Sequence, residues 1–269
     1  MKKEIFPFSR DFTFCTVLRR NKNLCIRLIE IILDTKVLDI EYIGTQQTID
    51  TNPEKKGVRL DVYVDDGKGT VYDLEMQTTV SDELPKRARY YQGAIDLGLI
   101  EKGEHYSKLK KSVIIFICTA DPFGYGLSRY TFARVCREKP ELILQDETQM
   151  IFLNSEGERS GIGTELAEFL NYVETNRPTD SFTRDLENAV QDVNMDAEWR
   201  QTIMTLEMNY LDYQYKGLKQ GLEQGLEQGR AEQIKMLKKL MESGAIGIKE
   251  AAEAYGVTEE ELKHLLSEH

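Results

Sequence analysis

Between Asp11 and Asp34 the apolar residues recur at helical spacing. Phe12–Leu18 follows Asp11, an acidic residue suited to an N-cap, and Leu24, Leu28, Ile31 and Ile32 then mark one face of a second helix. Val37–Ile49 reads as a first strand with a break near Gly44, and Thr51–Gly57 as a polar loop. Val58–Asp65 and Thr70–Thr78 are rich in β-branched and aromatic residues, and D-D-G-K-G between them is turn chemistry, so the pair predicts a β-hairpin. Pro85 suits the first turn of a helix running to about Leu99. Val113–Thr119 is a continuous apolar run, the pattern of a strand covered on both faces. Arg129–Cys136 and Gln149–Leu153 read as further strands and Thr164–Glu174 as a short helix. The polar stretch Asn176–Ser181 is the best boundary in the chain. It divides the sequence into a first domain, 1–176, a helical connector, 177–216, a Gly-Leu repeat helix, 217–243, and a small helical module, 244–269.

The hairpin carries the candidate chemistry. Side chains alternate faces along a strand, which groups Leu60, Val62 and Val64 on one face and Arg59, Asp61 and Tyr63 on the other. Tyr72, Leu74 and Met76 oppose Asp73, Glu75 and Gln77 in the same way. If Gly67-Lys68-Gly69 is the loop, Asp66 pairs with Thr70 and Asp61 lies opposite Glu75. Directly opposed Cβ atoms sit about 4.5–5.5 Å apart, where two like charges destabilise a sheet. Two carboxylates at that range want a proton or a cation between them, and hard oxygen ligands suit Mg2+. The competing reading is a solvated face whose charges happen to alternate.

Composition is ordinary for a globular protein, with 41% hydrophobic and 30% charged residues. No apolar run approaches a membrane span. The first residues, M-K-K-E-I-F-P-F-S-R-D, lack the apolar segment of a secretory signal. Cys15, Cys25, Cys118 and Cys136 have no metal-ligand spacing and there are three histidines, so a zinc site is not expected and the simple reading is reduced thiols in the cytoplasm. A net charge of −11 argues against a protein that coats nucleic acid nonspecifically. There is no Gly-rich phosphate loop after a strand and no G-x-S-x-G elbow.

Just after the carboxylate strand, Lys86, Arg87 and Arg89 load the start of the third helix with positive charge, and Arg87 and Tyr91 share a face at i, i+4. Farther on, Gly217, Gly221, Gly225 and Gly229 recur every four residues, each followed by Leu or, at the last, Arg. Glycine inside a helix costs about 1 kcal/mol against alanine. Close helix–helix approach would offset that, so a self-associating helix and a homo-oligomer are expected; a flexible helical tether is the alternative. Ile248–Tyr255, then Thr258 and Glu261 as a capping box, resembles a helix-turn-helix. Its second helix offers Glu259, Glu260, Glu261 and Lys263 where base reading needs Arg, Asn or Gln, which points to protein contacts.

R-L-D-V followed by Y-D-L-E-M-Q is similar to the core of the PD-(D/E)xK nuclease superfamily, in its branch of recombination-promoting nucleases and transposases. R-A-R-Y-Y-Q-G-A-I-D, S-V-I-I-F-I-C, D-P-F-G-Y-G, D-F-T-F-C-T-V-L and the repeat G-L-K-Q-G-L-E-Q-G fit the same branch in order and spacing. Gln77 stands where most of the superfamily has lysine, as is common in this branch. The resemblance implies a restriction-endonuclease-like α/β core, a mixed central sheet flanked by helices, followed by an α-helical C-terminal region. It implies a metal-dependent DNA endonuclease acting in recombination or mobile elements, with Mg2+ as cofactor and Mn2+ as substitute. Asp61 and Glu75 would be the catalytic metal ligands, joined by the Met76 carbonyl. Glu30 is the position matching the family's first-helix glutamate; a carboxylate on a surface rim is its other reading. Gln77 would orient water or phosphate, since an amide cannot serve as a base. Arg87, Arg89 and Tyr91 become the candidate DNA contacts, or in the case of the arginines a means of positioning Glu75. The alternative function is an inactive DNA- or protein-binding oligomeric module, and RNA is the other substrate the residues allow.

Overall fold

The computed structural model describes residues 5–43, 48–49 and 58–268 of the 269. The expected loop Thr51–Gly57 and the break near Gly44 lie outside those residues. Two compact units divide at Arg200/Gln201.

In the first unit, α1 (Asp11–Arg20) and α2 (Lys22–Leu33) follow the expected helical pattern, except that Arg10 takes the N-cap position and Asp11 is the first helical residue. An acid in that first turn still favours the helix through its dipole. The six-stranded sheet runs in the order β1 (Glu41–Tyr42), β4 (Val62–Asp65), β5 (Thr70–Gln77), β6 (Lys111–Cys118), β8 (Thr148–Asn154), β7 (Arg129–Phe132). The β4–β5 pair is antiparallel, β5–β6 and β6–β8 are parallel, and the two outer pairs are antiparallel. β2 (Thr48–Ile49) and β3 (Val58–Arg59) form a separate two-stranded ribbon. The crossover between β5 and β6 is α3 (Leu84–Leu99), with Pro85 in its first turn.

The hairpin takes the expected register. Val62 pairs with Leu74 and Asp65 with Val71, and the Asp66 N–H donates to the Thr70 carbonyl, so continuing the count sets Asp61 opposite Glu75. The expected strand Val58–Asp65 is interrupted at Leu60–Asp61, however. Leu60 therefore leaves the face of Val62 and Val64 and joins Val58, Tyr63, Val71, Ile114 and Phe116 in the core under α3.

The polar face expected of β5 is also not solvated. Every residue from Val71 to Gln77 is buried. α3 covers the face of Asp73, Glu75 and Gln77 with Leu84, Ala88 and Ile95, while α1 packs against β4 and β5. A central strand covered on both sides must bury whatever its alternation places there.

The expected boundary after residue 176 is a turn between two helices of the first unit. Asn176, in the left-handed region, ends α4 (Thr164–Thr175). Asp180 caps α5 (Ser181–Met195), accepting the Thr183 N–H at 2.8 Å. Asn194 on α5 exchanges two hydrogen bonds with the Phe6 backbone, and the Trp199 indole donates to Thr16 at 3.0 Å. These long-range bonds carry the first unit through Arg200.

The second unit holds most of α6 (Ala197–Glu242), then α7 (Ile248–Tyr255) and α8 (Glu259–Glu268). Ala251, Ala252 and Leu262 form its core with Leu237, Met241 and Leu266. The capping box is present: Glu261 accepts the Thr258 N–H at 2.9 Å, and Thr258 accepts the Glu261 N–H at 3.3 Å.

Candidate active site

The carboxylates meet where β5 ends and β4 begins, at the carboxyl ends of the parallel strands, where open α/β sheets bind ligands. Asp61 and Glu75 do not simply face each other. The Asp61 N–H donates to Glu75 Oε1 at 2.9 Å, and Asp61 Oδ2 accepts the Met76 N–H at 3.2 Å. Side-chain bonds thus replace the ladder rungs at this one pair, which is why the strand breaks there. Arg19 of α1 holds the bend from outside, donating to the Asp61 carbonyl at 2.6 Å. A strand residue directs its N–H and C=O to the same edge, so the Met76 carbonyl also points toward Asp61.

Asp73, one alternation back from Glu75, adds a third carboxylate. It is wholly buried, and neither of its oxygens has an N–H or O–H donor among the described residues. The carboxyl that bears on it is that of Glu75, and two carboxyls can share a hydrogen bond only when one of them holds a proton. Burial raises the Asp61 pKa to about 6, with Asp11 adding to the rise and the Met76 N–H and Arg59 opposing it. Burial also pushes Asp73 and Glu75 well above the usual range, each further raised by Asp61 and each drawn back by Arg87. The cluster is therefore short of positive charge.

Arg87 supplies some. It donates to the Gln77 side-chain carbonyl, and its guanidinium lies 5.3 Å from the centre of the Phe116 ring and 5.7 Å from that of Tyr91. Gln77 donates in turn to the Thr79 carbonyl and hydroxyl at 2.5 and 3.1 Å. Both ends of the Gln77 amide are thus engaged in fixing Arg87 to the loop after β5. Tyr91 stacks on Phe116 and Phe116 on Phe152, which walls the cluster on the α3 side. Arg89 is exposed on the same helix.

Glu30 is not brought to this cluster. Its carboxylate accepts the Val37 N–H at 3.2 Å and pairs with Arg27 and Lys36, each at 3.4 Å. Burial acts to raise its pKa, but those three partners outweigh it and hold the group below the usual range. It lines a separate cavity of about 670 Å3 with Arg27, Asp34, Lys36, Arg129 and Glu165. The physical reason is local: α2 sets Arg27 one turn before Glu30, and the chain leaving the helix returns Val37 to it. The first-helix acid whose charge does reach Asp61 is Asp11, on α1 with Cys15 and Arg19 at successive i+4 steps.

The sequence pattern alone gives Asp11 a cap position and gives Asp73 and Arg19 no role. The i, i+4, i+8 spacing of Asp11, Cys15 and Arg19 and the shared parity of Asp73 with Glu75 were the available signals.

The donor set, two carboxylates and a backbone carbonyl, is of the oxygen type that suits a hard divalent cation. Among the described residues no group of three or more acidic, cysteine or histidine side chains is placed to hold a metal ion. Mg2+ does not require one, since it keeps several waters and is usually held by one or two carboxylates plus substrate phosphate. Asp61, Glu75 and the Met76 carbonyl would provide such a set, with the buried, donorless Asp73 beside it.

Over residues 9–216 the chain matches the family described as PD-(D/E)XK nuclease family transposase. The mixed six-stranded sheet flanked by helices, with a helical region after it, is consistent with a restriction-endonuclease-like fold. No curated protein and no solved structure matches the chain.

Proposed function

The chain belongs to the PD-(D/E)XK nuclease family transposases, and on that premise we propose that it is a metal-dependent DNA endonuclease hydrolysing phosphodiester bonds in recombination or mobile-element movement. The observation that carries the reading is the pair formed by half-buried Asp61 and buried Glu75, locked together through their own backbone at a strand break and short of positive charge. Asp61, Glu75 and the Met76 carbonyl would hold Mg2+, with Mn2+ as substitute. Bound there, the ion supplies an activated water and offsets charge on the scissile phosphate.

The residues around the ion have separate tasks. The backbone bonds between Asp61, Glu75 and Met76 fix the two carboxylates before substrate arrives, so little is lost in ordering them. Gln77 has no useful basicity and acts through Arg87, holding the guanidinium that steadies the ionised form of Glu75. Arg87 is thus a positioning residue, while exposed Arg89 is the better contact for the DNA backbone. Tyr91, packed on Phe116, keeps one wall of the site apolar.

An acidic protein can still take DNA as its substrate, since only the rim that meets the backbone must be basic. A homo-oligomer through the 217–229 helix belongs to the same reading. So does a cytoplasmic location: Cys15, Cys25, Cys118 and Cys136 are all unpaired, as thiols are in a reducing compartment. Among the described residues no helix is long and apolar enough to cross a membrane.

The test is nicking of supercoiled plasmid by the purified protein with Mg2+, with Mn2+ and with EDTA. Nicking with either ion and none with EDTA is the expected result. Activity unaffected by EDTA would overturn the metal site, and a folded protein inert with both ions would favour a binding module. In the same assay Arg87→Ala should cleave roughly 10- to 100-fold more slowly, the scale for losing a residue that orients a metal ligand. Because Arg87 lowers the Glu75 pKa, removing it should also move the acid limb of the pH–rate profile to higher pH, and Arg87→Lys should move it partly back.

A further inference from the structure

The face of α6 that begins the second unit is apolar and bare. Met204, Met208, Leu211, Tyr215, Leu218 and Leu222 are each between 52% and 75% exposed. Their spacing is 4, 3, 4, 3, 4, the a/d alternation of a heptad. The next two steps of the same alternation fall on Gly225 and Gly229, and the space where each one's Cβ would stand is open. This seam differs from the four-residue Gly repeat. Two of its glycines lie on the seam, Gly217 and Gly221 lie off it, and it starts three turns earlier.

We infer that a second copy of this chain covers the seam, the two α6 helices pairing along Met204–Gly229. A strict 3.5-residue repeat stays on one side of a helix only when it winds around a partner of the same period, so the occupant must itself be helical. The unit's other helices are already committed, since α7 and α8 bury their apolar faces on each other and on Leu237 and Met241. A second copy brings the identical seam, as an isologous twofold contact requires. Covering the six large side chains on both copies removes on the order of 1,000 Å2 from water, the lower bound for a specific interface. Beyond Leu222 the glycines let the backbones draw together, which offsets their cost inside a helix.

The pairing gives the proposed homo-oligomer its partner and seam; it rests on the helix and not on the nuclease chemistry. It has a consequence for the nuclease reading, since two copies carry two carboxylate sites, one for each strand of a duplex.

Sedimentation of the full chain at micromolar concentration should give twice the chain mass. Leu211→Asp with Leu218→Asp should give a single chain, with the melting temperature of the first unit unchanged because both side chains are exposed in the monomer. A second variant, Leu206→Asp, changes an exposed leucine off the seam and should remain a dimer. A monomeric wild-type chain, or a dimer that survives the double substitution, would overturn the inference. Loss of plasmid cleavage with an intact dimer would count against the nuclease reading instead.

Discussion

Replacing Glu75 with glutamine is expected to lower Mg2+-dependent plasmid cleavage about 1,000-fold or more, the upper scale for removing one electrostatic contact to a transition state. The substitution keeps the size of the side chain, and its carbonyl oxygen can still accept the Asp61 N–H, so the strand break should persist. It removes the charge and with it the bond to a cation. It also removes one acid from a cluster short of positive charge, so the metal-free variant should melt no lower than the wild-type chain. Initial nicking rates beside a melting curve check both halves. Wild-type rates in Glu75→Gln would show that the chemistry lies elsewhere, whereas a lost activity with a collapsed melting curve would report damage to the fold.

The same buried charges should make the metal-free protein less stable as pH rises. Asp61 titrates at about 6 in the folded chain against an ordinary value of 3.8. Between those values the native state binds more protons than the unfolded chain, so the unfolding free energy falls with increasing pH. Two pKa units correspond to roughly 3 kcal/mol for this one group. Raised Asp73 and Glu75 carry the loss further toward neutrality. Acids held low, such as Glu30, Asp121 and Asp146, act in the opposite sense but below the ordinary carboxylate range, outside this window. In EDTA the melting temperature should therefore drop by several degrees from pH 5 to pH 8. Saturating Mg2+ should restore it at pH 8 and do little at pH 5, where protons occupy the carboxyls. A melting temperature that rises over this range in EDTA, or an equal Mg2+ effect at both ends, would contradict the charge balance described for the cluster.

Much of this was legible in the chain itself. The glycine turn and the strand pattern set the hairpin register, which places Asp61 against Glu75. The apolar run of β6 announced a strand buried on both faces, and Thr258 with Glu261 announced a cap. What alternation could not convey was depth. It sorts residues onto two faces but does not say that a helix covers the polar one, so Asp73 passed as surface charge. Glu30 was misplaced for a related reason: a family position fixes which helix a residue is on, while its partners depend on where Val37 returns. Asn176–Ser181 looked like a linker because polar turn residues serve helix caps and domain boundaries alike. The bonds that decide between the two, from Asn194 to Phe6 and from Trp199 to Thr16, join residues more than 180 positions apart.

The most direct test of the central claim is a calorimetric titration of Mg2+ into the full chain and into the Asp61→Asn, Glu75→Gln double variant at neutral pH. Saturable binding with proton release is predicted for the native chain, because carboxyls with raised pKa must give up protons to hold the ion. The double variant should take up none. Equal binding by both proteins would place the cation elsewhere and contradict the site.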